Sequence, residues 1–520
     1  NQHHKREPLM KFRDSMFKSR REVVFFVIVV IAAVFAIFPR LASQPLREWD
    51  ESRLAVSAYE MYESGNYLVS TFEYKADLWN TKPPLLLWLQ ALGMKVFGVG
   101  LLAVRLPSAM ALFLSAVALF CFFAKGKRPL AGFYSAMILI CSKGLLTYHF
   151  GRSGDYDSLM TLFCVLYCGF FYLYHLFGRK RDWIFFSLCL SLGVLTKGVQ
   201  AMMPLAGIVL FLLCRSELLR CLRQPITYIG MGIFLLLVGG FYISRELASG
   251  GYLQAVWNNE IGGRFFTVIE EHNQKASYYL DMLRVEQFSY FFWLFPIALI
   301  TNFFTKEKNL RQANLYCGLV AVVYLVIISV AKTKLEWYSL PAIPALAAVI
   351  GLCFERLHLI AERKISEKAK NRVLFSSLCF MGAAVVFCFP YSQIVRQNIE
   401  CEVTNKYLKE DNARVDLMRR VAERRTNMPY KEICCLKNEK RQLYVFYYYL
   451  MERSGVRLNE KDLSELLEGD YVQVNDWGNE EKILQNYFVE ETDATPPSHI
   501  YYIKSLKPKE NENIGNHTEL

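Results

Sequence analysis

About eleven runs of apolar residues, each long enough to cross a bilayer with some tilt, recur along the chain near 22–38, 102–123, 129–148, 158–177, 182–196, 199–214, 226–244, 288–304, 314–331, 337–355 and 373–391. Such runs select lipid as solvent, because a helix satisfies its own backbone hydrogen bonds where water is missing. The composition agrees, with 53% hydrophobic, 15% aromatic and only 21% charged residues. A net charge of +12 is no nucleic-acid footprint here, because the basic residues fall in short clusters between apolar runs rather than on one face. The run Leu85 to Phe97 is shorter and carries Gln90 and Lys95, so it reads as a helix lying in the interface rather than a further span.

Charge then sets the orientation. Arg20 and Arg21, Lys125 to Arg128, Arg179 to Arg181, Arg215 to Arg223, Lys306 to Arg311, and Arg363 to Arg372 all fall in connections of one parity, which the positive-inside rule places in the cytoplasm. The opposite parity puts outside a first long loop 39–101, a connection 149–157, a turn at 197, a second long loop 245–287, a short loop 332–336 and everything after 392. A twelfth span at Leu85 would move every later basic cluster outside. The first run has basic flanks and is followed by Phe38-Pro39-Arg40 instead of a small-residue cleavage site, so it reads as a retained span with a cytoplasmic N-terminus.

The expected fold class is therefore an all-α polytopic membrane protein with outer-face loops and a small soluble α/β domain at its C-terminal end. The membrane domain occupies 1–392. Residues 393–508 mix charged and apolar sequence, with helical patterning in 409–424 and 441–452 and strand-like pieces at Glu432 to Leu436 and Tyr471 to Val474. Polar residues 509–520 read as a disordered tail. Most cysteines lie inside apolar runs as packing residues. If the tail is exported and oxidised, Cys401 has Cys434 or Cys435 to pair with; free thiols are equally compatible.

Polar chemistry gathers on the outer side. The first loop holds Trp49-Asp50-Glu51-Ser52-Arg53 and Trp79-Asn80-Thr81-Lys82-Pro83-Pro84. A carboxylate there can take a proton from an acceptor, and a lysine can neutralise a phosphate leaving group; alternatively Asp50 and Glu51 cap the helix that follows. The connection His149-Phe150-Gly151-Arg152-Ser153-Gly154-Asp155-Tyr156-Asp157 places a base and two acids at the mouths of two spans, with an Arg152–Asp157 ion pair as the bland reading. Lys197 stands alone in an apolar run and calls for a phosphate or carboxylate partner unless it snorkels to the interface. The fourth loop adds Glu260, Gly262-Gly263-Arg264 and His272. Arg264 suits bidentate phosphate binding, while Glu260 and His272 are metal-ligand candidates without ligand spacing. The fifth offers Lys332-Thr333-Lys334 and Tyr338, the tyrosine either a phosphate donor or an interface anchor. Five separate outer connections thus each supply lysine or arginine.

In order and spacing across roughly 20–355, these motifs resemble the bacterial lipid A aminoarabinose transferases, which sit with the dolichyl-phosphate-mannose protein mannosyltransferases among the integral-membrane C-type glycosyltransferases. The resemblance implies a C-type glycosyltransferase fold and inverting transfer of a sugar from a polyprenyl-phosphate donor, undecaprenyl or dolichyl, onto a lipid A-like glycolipid at the periplasmic face of the inner membrane. It implies Asp50 as the catalytic residue, Lys82, Arg264 and Tyr338 on the donor phosphate, and Glu51, Arg53, Trp79, Arg152, Asp155, Asp157, Lys197 and Lys334 as supporting residues. No cofactor is required. A structural divalent metal found in relatives would have Glu260 and His272 as its candidate ligands, and the chain departs from the aminoarabinose enzymes at Thr81 and Glu260, where they carry an acid and a histidine. Transfer to a protein Ser or Thr stays open as an alternative, as does, in another class, a transporter or flippase of the lipid-linked sugar. The latter would call for repeated halves or midplane polar residues, which this sequence lacks.

Overall fold

The computed structural model describes residues 19–146, 149–263, 274–366, 372–400 and 406–508. Apolar sequence folds as helix throughout the membrane region. Helix α1 (Arg20–Ile37) is capped by the Ser19 hydroxyl, which accepts from the Glu22 amide. Helix α2 (Asp50–Ser64) lies in the first long loop and ends at Gly65. Then follow α3 (Leu85–Phe97), α4 (Leu101–Lys125), α5 (Pro129–Ile140), α6 (Tyr156–Phe177), α7 (Lys180–Lys197), α8 (Met203–Cys214) and α9 (Pro225–Ala248). The second half carries α10 (Leu294–Phe303), α11 (Lys308–Val330), α12 (Ile343–Ser366) and α13 (Arg372–Glu400).

Among the described residues, six helical stretches are long and apolar enough to cross a membrane: Leu101–Lys125, Tyr156–Phe177, Lys180–Cys214, Pro225–Ala248, Lys308–Val330 and Glu336–Arg363. The protein is a polytopic membrane protein. The stretch Lys180–Cys214 is not one rod. Gly198 at φ +63° turns the chain, and a Cβ placed on Gly193 would stand 3.4 Å from the Ala201 Cβ, whereas residues eight apart in a straight helix are separated by about 12 Å. Helix α7 packs on α6 while α8 packs on α11, so the lysine at the bend is delivered to the middle of the bundle's end.

Residues 406–508 form a different layer. Helices α14 (Lys406–Ala422), α15 (Gln442–Arg453) and α16 (Trp477–Asn486) accompany a mixed sheet. A two-stranded hairpin in the first loop supplies β1 (Thr71–Phe72) and β2 (Lys75–Ala76). The five-stranded sheet contains β3 (Glu432–Leu436), β4 (Arg457–Lys461), β5 (Tyr471–Val474), β6 (Tyr487–Thr495) and β7 (Ser498–Leu506), in the order β4-β3-β5-β7-β6. Strand β3 pairs parallel with β4 and β5, while β7 runs antiparallel to β5 and β6. Cys434 and Cys435 are buried on β3, and Cys401 lies outside the described residues.

Helix α15 docks on α2. The Arg441 guanidinium stands 2.7 Å from Glu48, and Arg453 stands 2.6 Å from Glu63. The Tyr449 hydroxyl donates to Glu60 at 2.8 Å, the Tyr447 hydroxyl accepts from the Leu46 amide at 2.9 Å, and Tyr449 stacks on Tyr59. From below, α2 is anchored by one buried ion pair. Glu51, fully buried, takes Arg105 of α4 in a fork with Nε and Nη2 at 2.7 and 2.9 Å. Its carboxylate also accepts the Gly154 and Arg47 amides, each at 2.8 Å. The remaining Arg105 hydrogens go to the carbonyls of Leu41, Gln44 and Pro45.

Burial alone would push the Glu51 carboxyl up, but Arg105 and the two amides outweigh it and hold the group below its ordinary value. The depressed value stabilises the fold above the unfolded glutamate range, and that contribution disappears as pH falls through the folded value. Glu51→Gln leaves Arg105 buried without its counter-charge and is expected to lose about 3–5 kcal/mol at neutral pH. Denaturant titration in detergent should show the gap between wild type and variant closing as the pH drops below the ordinary glutamate value.

Candidate active site

The anchor fixes the geometry around it. Asp50 precedes Glu51 at the first turn of α2, while Gly154 leads directly into Asp155 and Asp157 at the start of α6. One cavity of about 560 Å³ gathers Asp50, Arg53, Trp79, Lys82, Asp155, Asp157, Lys197 and Tyr338, all expected from the sequence, together with His149 and Trp337. Asp50 is more than half exposed to it, whereas Asp155 and Asp157 are buried.

The cations of the cavity are held by specific acids. Lys197 donates to Asp157 at 2.6 Å and its ammonium lies 5.3 Å from the centroid of the Tyr338 ring. The carboxylate partner that Lys197 calls for is thus Asp157, and the Arg152–Asp157 pair is absent. Arg53 makes a bidentate contact with Asp77, both bonds 2.8 Å, and lies over the Phe72 ring. Asp77 also accepts the Trp79 and Asn80 amides, which shapes the turn delivering Lys82. Lys82 stands 3.7 Å from Glu260, and Tyr156 closes the wall behind it, its hydroxyl accepting from Asn80 at 3.0 Å.

Three expected residues stand elsewhere. Arg152 donates to the carbonyls of Ile37 and Pro39 beyond the end of α1, which explains its conformation without substrate. Glu51 is sealed against Arg105 and is a scaffold residue. Lys334 is buried and donates to the Ala331 carbonyl; burial, then the neighbouring Lys332 charge, push its ammonium down. Arg264 and His272 lie outside the described residues.

The metal expected at Glu260 finds an unsuitable donor set. The Thr81 hydroxyl donates to Glu260 at 2.9 Å and Lys82 faces the same oxygen, so that oxygen meets a hydrogen-bond donor and an ammonium instead of a metal ion. The described residues here do not fit that metal.

Three residues were not singled out by sequence reasoning. Arg105 is the sole arginine inside the run of α4, and an isolated charge within a span is a signal that it pairs. Asp77 carries no comparable mark. His149 appears in the sequence only as one polar residue among several, yet it stacks on Trp337 with ring centroids 3.5 Å apart and points Nδ1 at Asp155 and Asp50. Burial pushes the His149 imidazolium down, but Asp155 first and Asp50 after it reverse the sign and raise its pKa above the ordinary value.

Beside the polar cavity lies an apolar groove of about 880 Å³, walled by Val199, Val238, Tyr242, Leu253, Val256 and Trp257, and the two share Lys82. The arrangement can hold an apolar chain with an anionic head: hydrocarbon in the groove, charge at Lys82, the remainder of the molecule facing Asp50.

A family model described as dolichyl-phosphate-mannose-protein mannosyltransferase matches residues 81–242. The undecaprenyl phosphate-alpha-4-amino-4-deoxy-L-arabinose arabinosyl transferase of Aeromonas salmonicida is 28% identical over 370 residues, covering 69% of this chain and 65% of that protein. Its counterpart from Aeromonas hydrophila is 27% identical over 357 residues, covering 67% and 64%. The chain therefore spans a little under two thirds of the length of these curated relatives. In fold it is similar to ArnT from Cupriavidus metallidurans bound to undecaprenyl phosphate, with a TM-score of 0.68 at 14% identity over 93% of this chain and 98% of the other. The resemblance carried by the outer-loop motifs recurs in these comparisons: the chain is similar in sequence to the aminoarabinose transferases, carries a segment that matches the protein mannosyltransferase model, and shares the fold of ArnT.

Proposed function

We propose that the protein is an inverting glycosyltransferase that moves a sugar from a polyprenyl-phosphate donor onto a lipid A-like glycolipid at the periplasmic face of the bacterial inner membrane. The observation that carries this reading is the position of Lys82 at the junction of an apolar groove and a polar cavity containing Asp50. A polyprenyl tail in the groove brings its phosphate to Lys82 and Tyr338, with Arg264 as a further phosphate ligand, and the sugar then extends toward Asp50. The acceptor oxygen attacks the anomeric carbon from the side opposite the phosphate. The new carbon–oxygen bond forms as the bond to phosphate breaks, and the polyprenyl phosphate leaves with its charge matched by Lys82. A hydroxyl acceptor gives its proton to Asp50; a phosphate acceptor needs no base, and Asp50 then orients it or stabilises positive character at the sugar.

In this reading about eleven spans cross the bilayer. The N-terminus is cytoplasmic, the membrane domain ends near 392, and the sheet unit within 393–508 stands in the periplasm over α2. Undecaprenyl-phosphate aminoarabinose is the donor acted on by the arabinosyl transferases the chain resembles, which makes it the first donor to test.

Reconstituted full-length protein given labelled undecaprenyl-phosphate aminoarabinose and lipid A is expected to transfer label to the lipid. Movement of the labelled donor across the vesicle without transfer would overturn the reading in favour of a flippase. Asp50→Asn is expected to lower kcat by about 10²–10⁴-fold on a hydroxyl acceptor, with a smaller loss on a phosphate acceptor. Lys82→Ala is expected to cost about 10²–10³-fold in kcat/KM, because the charge it meets is largest when the phosphate departs. Both follow from initial rates at varied donor concentration.

A further inference from the structure

Far from the Asp50 cavity, the flank of the bundle carries another apolar groove, of about 920 Å³, between α10 and α11. Ile300, Phe303 and Phe304 line it at the end of α10, and Leu315, Leu319 and Val322 line it from α11. Gly318 forms its floor, where a Cβ would stand 2.6 Å from Leu299. Phe304 at the rim is 77% exposed, a cost in water that lipid removes. Helix α11 runs from Lys308 to Val330, and the chain then reaches Tyr338 in the cavity. At 1.5 Å per residue, Lys308 stands about 33 Å from that end, close to the thickness of a hydrocarbon core.

Charge meets the groove at this far end. Lys308 and Arg311 fall on the same stripe of α11 as Leu315, Leu319 and Val322, since their spacing keeps all five within about 80° of the helix circumference. Leu315 and Val322 lie about 10 and 21 Å along the helix from Lys308, at acyl-chain depth below a headgroup. Lys306 precedes them, just after Phe304. The cations of the Asp50 cavity face acids: Lys197 with Asp157, Arg53 with Asp77, Lys82 with Glu260. Lys306, Lys308 and Arg311 are exposed, and among the described residues none of them pairs with an acid. Glu307, the sole acid between them, is held by Arg128. No side chain caps the start of α11 and its first turn holds no acid, so the helix dipole adds positive character at the same place.

We propose that α10 and α11 hold one anionic phospholipid, with an acyl chain in the groove and the phosphate against Lys306, Lys308 and Arg311. A basic cluster at the end of an apolar cleft between spans suits an anionic headgroup, and Arg311 can grip phosphate oxygens bidentately. A zwitterionic lipid fills the groove equally well but brings a cation of its own to the cluster. The orientation proposed above puts the site in the cytoplasmic leaflet, across the membrane from the transfer chemistry. Its occupancy depends on neither sugar donor nor acceptor.

The test uses delipidated full-length protein in detergent, titrated with dioleoylphosphatidylglycerol or dioleoylphosphatidylcholine and read by native mass spectrometry. One saturable phosphatidylglycerol per chain is expected, bound about 10²-fold tighter than phosphatidylcholine, at roughly fivefold for each cation. Lys306→Gln, Lys308→Gln and Arg311→Gln together are expected to erase that preference. Val322→Trp, which fills the groove and leaves the cations in place, is expected to weaken both lipids by about tenfold, equivalent to roughly two excluded methylenes. Arg20→Gln with Lys180→Gln removes two cations of other basic segments and is expected to change neither affinity. Equal affinity for the two lipids, an equal loss in the Arg20 and Lys180 variant, or displacement by excess inorganic phosphate overturns the proposal. The last result assigns the cations to a free anion, and a dimer that Val322→Trp dissociates assigns the groove to a second copy of the chain. These readouts contain no transfer step, so failure of the transfer assay leaves them unaffected.

Discussion

The Glu51–Arg105 pair is the constraint on which the polar cavity and the layer above it depend. A loop helix has no lipid to bury against and would otherwise wander over the membrane surface. Here one carboxylate joins three chain segments: the start of α2, the middle helix α4, and the turn at Gly154 that opens α6. The same guanidinium stitches the carbonyls of Leu41 to Pro45, the segment leading from α1 into the first loop. An ion pair in a dry setting adds little net stability over a well-packed apolar pair, yet breaking one partner is severe. Its value is registration: it sets Asp50 and the pair Asp155 and Asp157 at fixed distances across a cavity.

The layer above works by different physics. Contacts between α15 and α2 include pairs such as Arg441–Glu48 and Arg453–Glu63, which are partly exposed and individually weak. Between them lie the Tyr59–Tyr449 stack and the buried Tyr447, which contribute apolar area and a directed hydrogen bond. Helix α2 is thus gripped rigidly at its first turn by a buried charge and more softly along its length by aromatic packing. Exposure follows the same gradient, with Glu51 sealed and Glu63 facing solvent.

Much of this was readable in the residues. The helix Leu85–Phe97 and the strands Glu432–Leu436 and Tyr471–Val474 occur with the boundaries their patterning gives. The cavity residues Asp50, Lys82, Asp157, Lys197 and Tyr338 could be nominated because charge at the mouth of a span is expensive without a purpose. Pairing was less legible. Arg152 precedes Asp157 by five residues, but its side chain reaches back to the end of α1, over 110 residues earlier, because three carbonyls there lack helical partners. Strands β4, β6 and β7 escaped because their polar alternation, as in Arg457 to Lys461, resembles loop sequence until a neighbouring strand supplies the ladder. His149 escaped because a ring's role depends on what it stacks on, and Trp337 is 188 residues away in sequence.

The union of the two cavities at Lys82 rests on a local feature of the chain. Thr81 presents its carbonyl to the Tyr252 hydroxyl at 2.8 Å and its own hydroxyl to Glu260, so the turn before Pro83-Pro84 is tied on both sides to the segment that carries Tyr252 and Glu260. The following prolines stiffen the backbone into α3. Lys82 therefore rises from a turn fixed in all directions, between a wall of Val199 and Trp257 and a wall of Asp157 and Tyr338. In the proposed reading, a lysine so placed would hold an anion at the boundary of oil and water without having to pull it into either, since the apolar and polar parts of the molecule would each meet a matching surface. Moving the charge by one residue, onto Thr81 or Pro83, would lose the arrangement: the first position is spent on the loop contact, and the second would give up a ring that stiffens the backbone into α3.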